Sequence, residues 1–283
     1  MFHYDFMRHA FEAGTLVAVM CGVIGVFVIA RNLSFIAHTF SHIGFSGAAF
    51  AVYMGWNPLS GLLMFTVSSA LAIGRMGIKV FRRDVSISVV LSIFLGFGLL
   101  FLSLSSRQAN TMFSILFGSV VGISTQDVWE LTSLSFVVML VLAAGYRMLK
   151  FDSFDPLGAQ AAGLPIRFIS IGFLLLLSVA VAEAIQIVGA LLVFTLMTTP
   201  AATARYLTQS VAKMVFCSAG LAVLGVWLGL TLGYYTNAPV SFFITALEGI
   251  FYFAALGWYS FREKKEAKDA APVPSNAPET VNQ

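Results

Sequence analysis

The 283 residues are 59% hydrophobic and 10% charged, with 16 Lys plus Arg against 13 Asp plus Glu and a net charge of +3. A water-soluble domain carries roughly 25% charged residues, so this composition excludes a soluble protein. At ~20 residues per bilayer-spanning helix, about 167 apolar side chains (59% of 283) supply about eight spans and leave no room for a nucleotide-binding or catalytic domain. Any energy source other than an ion gradient must therefore come from a partner.

Apolar runs of spanning length fall at 15–30, 33–55, 58–78, 85–106, 128–146, 166–187, 188–204, 212–234 and 240–261. The predicted fold class is an all-α polytopic transmembrane bundle of eight to nine spans, with residues 1–261 as the membrane domain. The first run lacks a small-residue cleavage site after it and reads as a retained span. Cys21 and Cys217 sit inside apolar runs as small hydrophobes, with no disulfide framework or zinc knuckle. Gly22 and Gly25, then Gly44 and Gly47, are small residues at packing distance, which is how helices approach one another in lipid.

The second run carries the clearest chemistry. His38 and His42 are spaced i, i+4, which puts two imidazoles on one helix face, one turn apart. Thr39, Ser41 and Ser46 add hydroxyls, and Ser41 and Ser46, with Gln186 further along, are candidates to line a pore. Polar side chains within a span usually face a cavity or the bundle interior. Stacked neutral imidazoles suit zinc, and suit the harder manganese less well. The alternative is that they hydrogen-bond neighbouring helices as glue.

Further along, Met112 to Gly122 is too short to span and fits a re-entrant or interfacial piece. Asp155 can cap and Pro156 open a short helix that Gly163 ends before Pro165. Such a helix outside the lipid suits a groove on a partner, or is an ordinary connector. In the sixth run Glu183 and Gln186 share a face at i, i+3; Glu183 could give the pair an anionic third metal ligand, or sit near the outer interface and reach water. Glu248, midway along the last run, has no basic residue nearby in sequence and reads either as part of an ion relay or as a protonated acid bonded to a neighbour. Residues 262–283 turn polar and Pro-rich, a composition expected to be a disordered tail.

The basic residues cluster at every second gap: Arg31; Arg75, Lys79, Arg82 and Arg83; Arg147 and Lys150; Arg205 and Lys213; Arg262, Lys264, Lys265 and Lys268. The positive-inside rule then predicts an external N-terminus and a cytoplasmic C-terminus, with Arg8 the misfit. Scattered in this way, the charge offers no nucleic-acid surface.

Several segments stand together in order and spacing: Arg31 through Leu33-Ser34-Phe35-Ile36 to His42 and Gly47-Ala48-Ala49; Phe117-Gly118-Ser119 with Asp127; Asp155 to Gly163; and Gln186 and Gly189 through to Pro200-Ala201-Ala202-Thr203-Ala204-Arg205. From about Phe11 to Phe261 they resemble the manganese/zinc/iron-type permease family of ATP-binding-cassette importers. The resemblance implies a non-enzymatic permease in a bacterial cell membrane, pairing with a second permease chain as a homodimer. It implies two cytoplasmic ATPase subunits, an extracytoplasmic metal-binding protein and membrane lipid as its other partners. It implies no cofactor, the metal being cargo. Asp155, Ala159 and Gly163 fall where the family's coupling helix meets the ATPase. The family often has Asp where His38 stands, so the pair here is softer and leans towards zinc. The main rival is a cation- or proton-coupled secondary carrier using His38, His42, Glu183 and Glu248; its usual sign, a repeat between two halves, is not seen. An intramembrane metalloenzyme would need a general base as in His-Glu-x-x-His, but Thr39, Phe40 and Ser41 fill the interval.

Overall fold

The computed structural model describes residues 4–75, 83–104, 114–118 and 123–269. The helices are α1 (Asp5–Ala30), α2 (Ser34–Met54), α3 (Pro58–Arg75), α4 (Arg83–Leu104), α5 (Thr125–Phe154), α6 (Pro156–Ala161), α7 (Ile166–Val188), α8 (Ala190–Leu207), α9 (Val211–Thr236) and α10 (Val240–Asp269). A helical turn at 114–117 precedes α5, and no strand occurs among the described residues. Among the described residues, eight helices are long and apolar enough to cross a membrane. Within the described residues each of the nine apolar runs is helical over most of its length.

Local chemistry sets the boundaries. Asn32 takes a left-handed φ of 54° after α1, a conformation that Asn tolerates better than most residues. Ser124 and Asp127 form a reciprocal capping box that starts α5. Asp155 accepts from the Gly158 backbone N–H at 2.9 Å and Pro156 opens α6, as the sequence predicts.

The most enclosed helices are α2 and α1, with 78% and 72% of their most apolar stretches buried against 11% for α4. Helix α1 packs on α9, α8, α5 and α7, while α2 packs between α3 and α4. Close approach through glycine holds these pairs together: Gly22 meets Ser218 and Ala219 of α9, Gly25 meets Met197 of α8, and Gly47 meets Gly61 of α3.

Rings on Phe27 and Phe173 meet, and Ser135 of α5 touches both Met20 and Glu183. Gly14 and Val188 line one cavity. So α7 runs antiparallel to α1 and stops level with Gly14, about 14 Å short of the start of α1 at 1.5 Å per residue. Gly189 turns the chain there with a φ of 89°, and a Cβ on it would lie 2.3 Å from the Gly118 backbone nitrogen. Only glycine fits that turn. The expected span at 188–204 is therefore a helix that begins inside the bundle, under residues 117–118, and it is not among the eight that qualify as crossing helices. Of the expected piece at 112–122, only 114–118 are described.

One end of the bundle gathers Arg31 with Asp152, Arg205 with Arg262 beside Ile29, and Arg75 next to Gly74, which meets Ile171 near the start of α7. The start of α10 lies at the other end, where the Ser241 hydroxyl donates to the Phe117 carbonyl at 3.0 Å. Lys79, Arg82 and Arg107 lie outside the described residues. The last helix continues to Asp269, so 262–269 of the expected tail extend α10, and 270–283 lie outside the described residues.

Candidate functional site

Because α2 is an uninterrupted helix through this stretch, positions 38, 42 and 46 share one face. The His38 and His42 rings meet edge to face, centroids 4.6 Å apart, with their Nε2 atoms 3.3 Å apart, one ring donating to the other. Phe194 of α8 closes one side of His38, its ring centroid 5.0 Å away. Both imidazoles are half-buried, so they keep an open side.

Two nitrogen ligands at ~2.05 Å from a tetrahedral ion stand about 3.3 Å apart. The two Nε2 atoms are therefore already at bidentate spacing, and an ion would need only to displace the shared proton. Two coordination positions would remain. Among the described residues, no third His, Cys, Asp or Glu completes a cluster.

Glu183 accordingly does not join the imidazoles as the sequence suggested, nor does it reach water. It is fully buried, and its Oε1 accepts from the Ser135 hydroxyl on α5, beside α1. Its Oε2 and the Oε1 of Gln186 are buried acceptors without donors among the described residues. The physical reason is rotational: Glu183 is on the side of α7 that faces α1 and α5, whereas His38 faces α8.

The expected pore hydroxyls are also otherwise engaged. Ser41 donates to the Ala37 carbonyl at 3.2 Å and Ser46 to the His42 carbonyl at 3.1 Å. Both are buried, and Ser46 is wedged against Gly98 of α4. Neither lines open space. Ser46 instead meets α4 at Gly98, one turn beyond His42 on the same face.

The short helix α6 shows a similar redistribution. Ala159 is fully buried beneath it, so it supports the helix and cannot itself touch a partner. Asp155 is occupied as the cap, and exposed Gly163 closes the turn with a φ of 72°. The large apolar side chain presented outward is Leu157, 80% exposed. Its signal in the sequence was an apolar residue at the second position of a capped six-residue helix.

Glu248 is fully buried on α10 and faces Gly225 of α9, where a Cβ would lie 2.3 Å from its Oε1. Neither carboxyl oxygen meets a donor among the described residues. An unpaired buried polar group costs about 1–3 kcal/mol. Glu248→Met, which matches the unbranched shape, is expected to raise the thermal midpoint of the purified protein in detergent by several degrees. A lower midpoint would mean that the carboxyl has a partner when the protein is assembled.

A bundle with eight helices, among the described residues, long and apolar enough to cross a membrane, one of them carrying a half-open imidazole pair, is a polytopic membrane transport protein in outline. Residues 3–258 match the model of the ABC 3 transport family, and the chain belongs to that family. It is 31% identical over 277 residues to the manganese transport system membrane protein MntC of Listeria innocua, covering 94% of this chain and 97% of that one. It is 30% identical to the manganese import system permease protein ScaB of Streptococcus gordonii, covering 83% and 84% of the two chains. The fold matches a chain of PsaBC from Streptococcus pneumoniae in complex with Fab, with a TM-score of 0.80, 26% identity and coverage of 89% of this chain and 91% of that one. It is a multi-pass membrane protein and a permease subunit.

Proposed function

We propose that this chain is the membrane subunit of an ATP-driven importer of divalent transition-metal ions, with His38 and His42 holding the ion in transit. The observation that carries the reading is the 3.3 Å Nε2 spacing on a half-open helix face. Relatives named for manganese transport support a metal cargo. An all-nitrogen pair favours zinc over manganese.

A second copy presenting its own pair would supply the two missing ligands, which supports a homodimer. The basic end of the bundle is the cytoplasmic one. There α6 would dock on an ATPase subunit, while the opposite end would receive metal from an extracytoplasmic binding protein. ATP binding would bias the bundle between two states that hold the ion unequally, and that difference in affinity moves the ion.

Exposed Leu157 is the apolar contact on α6, and burying a Leu contributes about 1.5–3 kcal/mol. Leu157→Glu is expected to weaken co-purification of the ATPase at least tenfold while leaving membrane insertion unchanged. Undiminished co-purification would move the docking surface elsewhere.

The deciding experiment is uptake of zinc and manganese, alone and in competition, into proteoliposomes with and without the ATPase subunits and ATP. Uptake that requires ATP and the ATPase supports the importer. Uptake by the lone chain would make it a secondary carrier.

A further inference from the structure

We propose that Arg31, Asp152 and Ser153 form the joint through which movement of α6 reaches the imidazole pair on α2. The inference rests on the reading of α6 as the docking element and of His38 and His42 as the cargo site.

Arg31 lies in the short turn between α1 and α2, three residues before α2 begins. Its Nη2 pairs with the Asp152 carboxylate, and the two side chains are only 9% and 6% exposed. Its Nε donates to the Ser153 hydroxyl at 2.8 Å. The guanidinium also lies over the Phe173 ring of α7, 5.1 Å from the centroid. The one side chain is thus fixed by the last turn of α5 and by the first half of α7.

Asp152 and Ser153 are the last buried residues before Asp155, the cap of α6. A shift of α6 that moves the end of α5 therefore bears on Arg31. On the other side, Arg31 is seven residues before His38, three of them in the turn and four along α2, about 6 Å of helix rise. Among the described residues, the path from docking element to cargo site runs through the polar contacts of one side chain, Arg31, which is largely buried.

A buried ion pair adds little stability compared with an apolar filling of the same space. What it adds here is direction. The planar guanidinium engages two adjacent residues and a ring at fixed angles, which a Lys ammonium cannot reproduce. A hydrophobic contact would let the elements slide, whereas this fork transmits both push and pull.

The test is the ratio of metal transported to ATP hydrolysed by the assembled complex in proteoliposomes. Arg31→Lys keeps the charge but loses the Ser153 bond and the ring contact. It is expected to lower the ratio about tenfold, with ATP hydrolysis within about twofold of the parent. Ser153→Ala removes one bond without unpairing a charge, and is expected to lower the ratio about threefold in a fully assembled complex. The reciprocal variant carrying Arg31→Asp and Asp152→Arg is expected to recover more of the ratio than Asp152→Asn alone. An unchanged ratio in Arg31→Lys and Ser153→Ala, or transport and hydrolysis falling in proportion, overturns the joint and leaves it a structural staple. A parent complex that hydrolyses ATP without moving metal instead brings down the cargo reading, and the joint with it.

Discussion

Replacing both His38 and His42 with Ala is expected to reduce metal uptake by the assembled transporter to background, while the protein still inserts and still binds its ATPase. Each imidazole meets the other, and His38 meets Phe194. Their removal leaves the backbone contacts of α2 with α3 untouched, so loss of uptake would report the site and not the fold. Losing only an outer partner of a metal ligand costs about 10–100-fold in affinity, so losing two direct ligands costs at least that. The measurement is metal bound per protein at equilibrium, followed by ATP-dependent uptake; unchanged uptake in the double variant would end the site assignment. His38→Asp refines the same test. It exchanges a nitrogen donor for a carboxylate oxygen, which suits manganese better. Competition between zinc and manganese should shift towards manganese in that variant. An unshifted preference would mean that position 38 does not contact the cargo.

The second large effect is expected at Gly47 and Gly25. A Cβ at Gly47 would lie 2.2 Å from the Gly61 carbonyl oxygen, and one at Gly25 would lie 2.0 Å from the Met197 carbonyl oxygen. The clashing atoms are backbone, so no rotamer change relieves them and the helices must separate. Overpacking typically costs about 1–3 kcal/mol and more where the neighbour cannot move. Gly47→Ala and Gly25→Ala are each expected to lower the thermal midpoint by ten degrees or more, or to prevent accumulation in the membrane. Gly172→Ala is the control: a Cβ there meets nothing within 4 Å, and replacing a helical Gly by Ala is favourable by up to about 1 kcal/mol. Equal behaviour of all three variants would remove glycine contact as the basis of the packing.

Much of this molecule is legible along the chain. The nine apolar runs, the start of α6 at Asp155 and Pro156, and the i, i+4 imidazole pair all follow from local rules: hydropathy over one span, cap chemistry and helical spacing. The glycines at 22, 25, 44 and 47 were equally readable as contact points, though not their partners. Ala159 and Leu157 mark where local rules stop. Both are apolar residues on one short helix, and only the docking of α6 on the end of α5 buries the first and leaves the second outward. Glu183 marks the same limit on α7, since its position in the sequence fits a metal ligand, a water-exposed acid or a buried acceptor equally well.

By itself, then, the sequence determined that the chain crosses a membrane as a helical bundle, where the helices lie, and that two imidazoles share a face. The tertiary structure alone decided that α7 and α8 meet in a turn inside the bundle at Gly189, that Glu183 answers Ser135 and not the imidazoles, and that Arg31 ties the end of α5 to the start of α2. The reason is physical. In a water-soluble helix the polar face announces which side is out, but in lipid both the buried and the outward faces are apolar. Rotation and depth are then set by contacts between distant segments, which no local pattern carries.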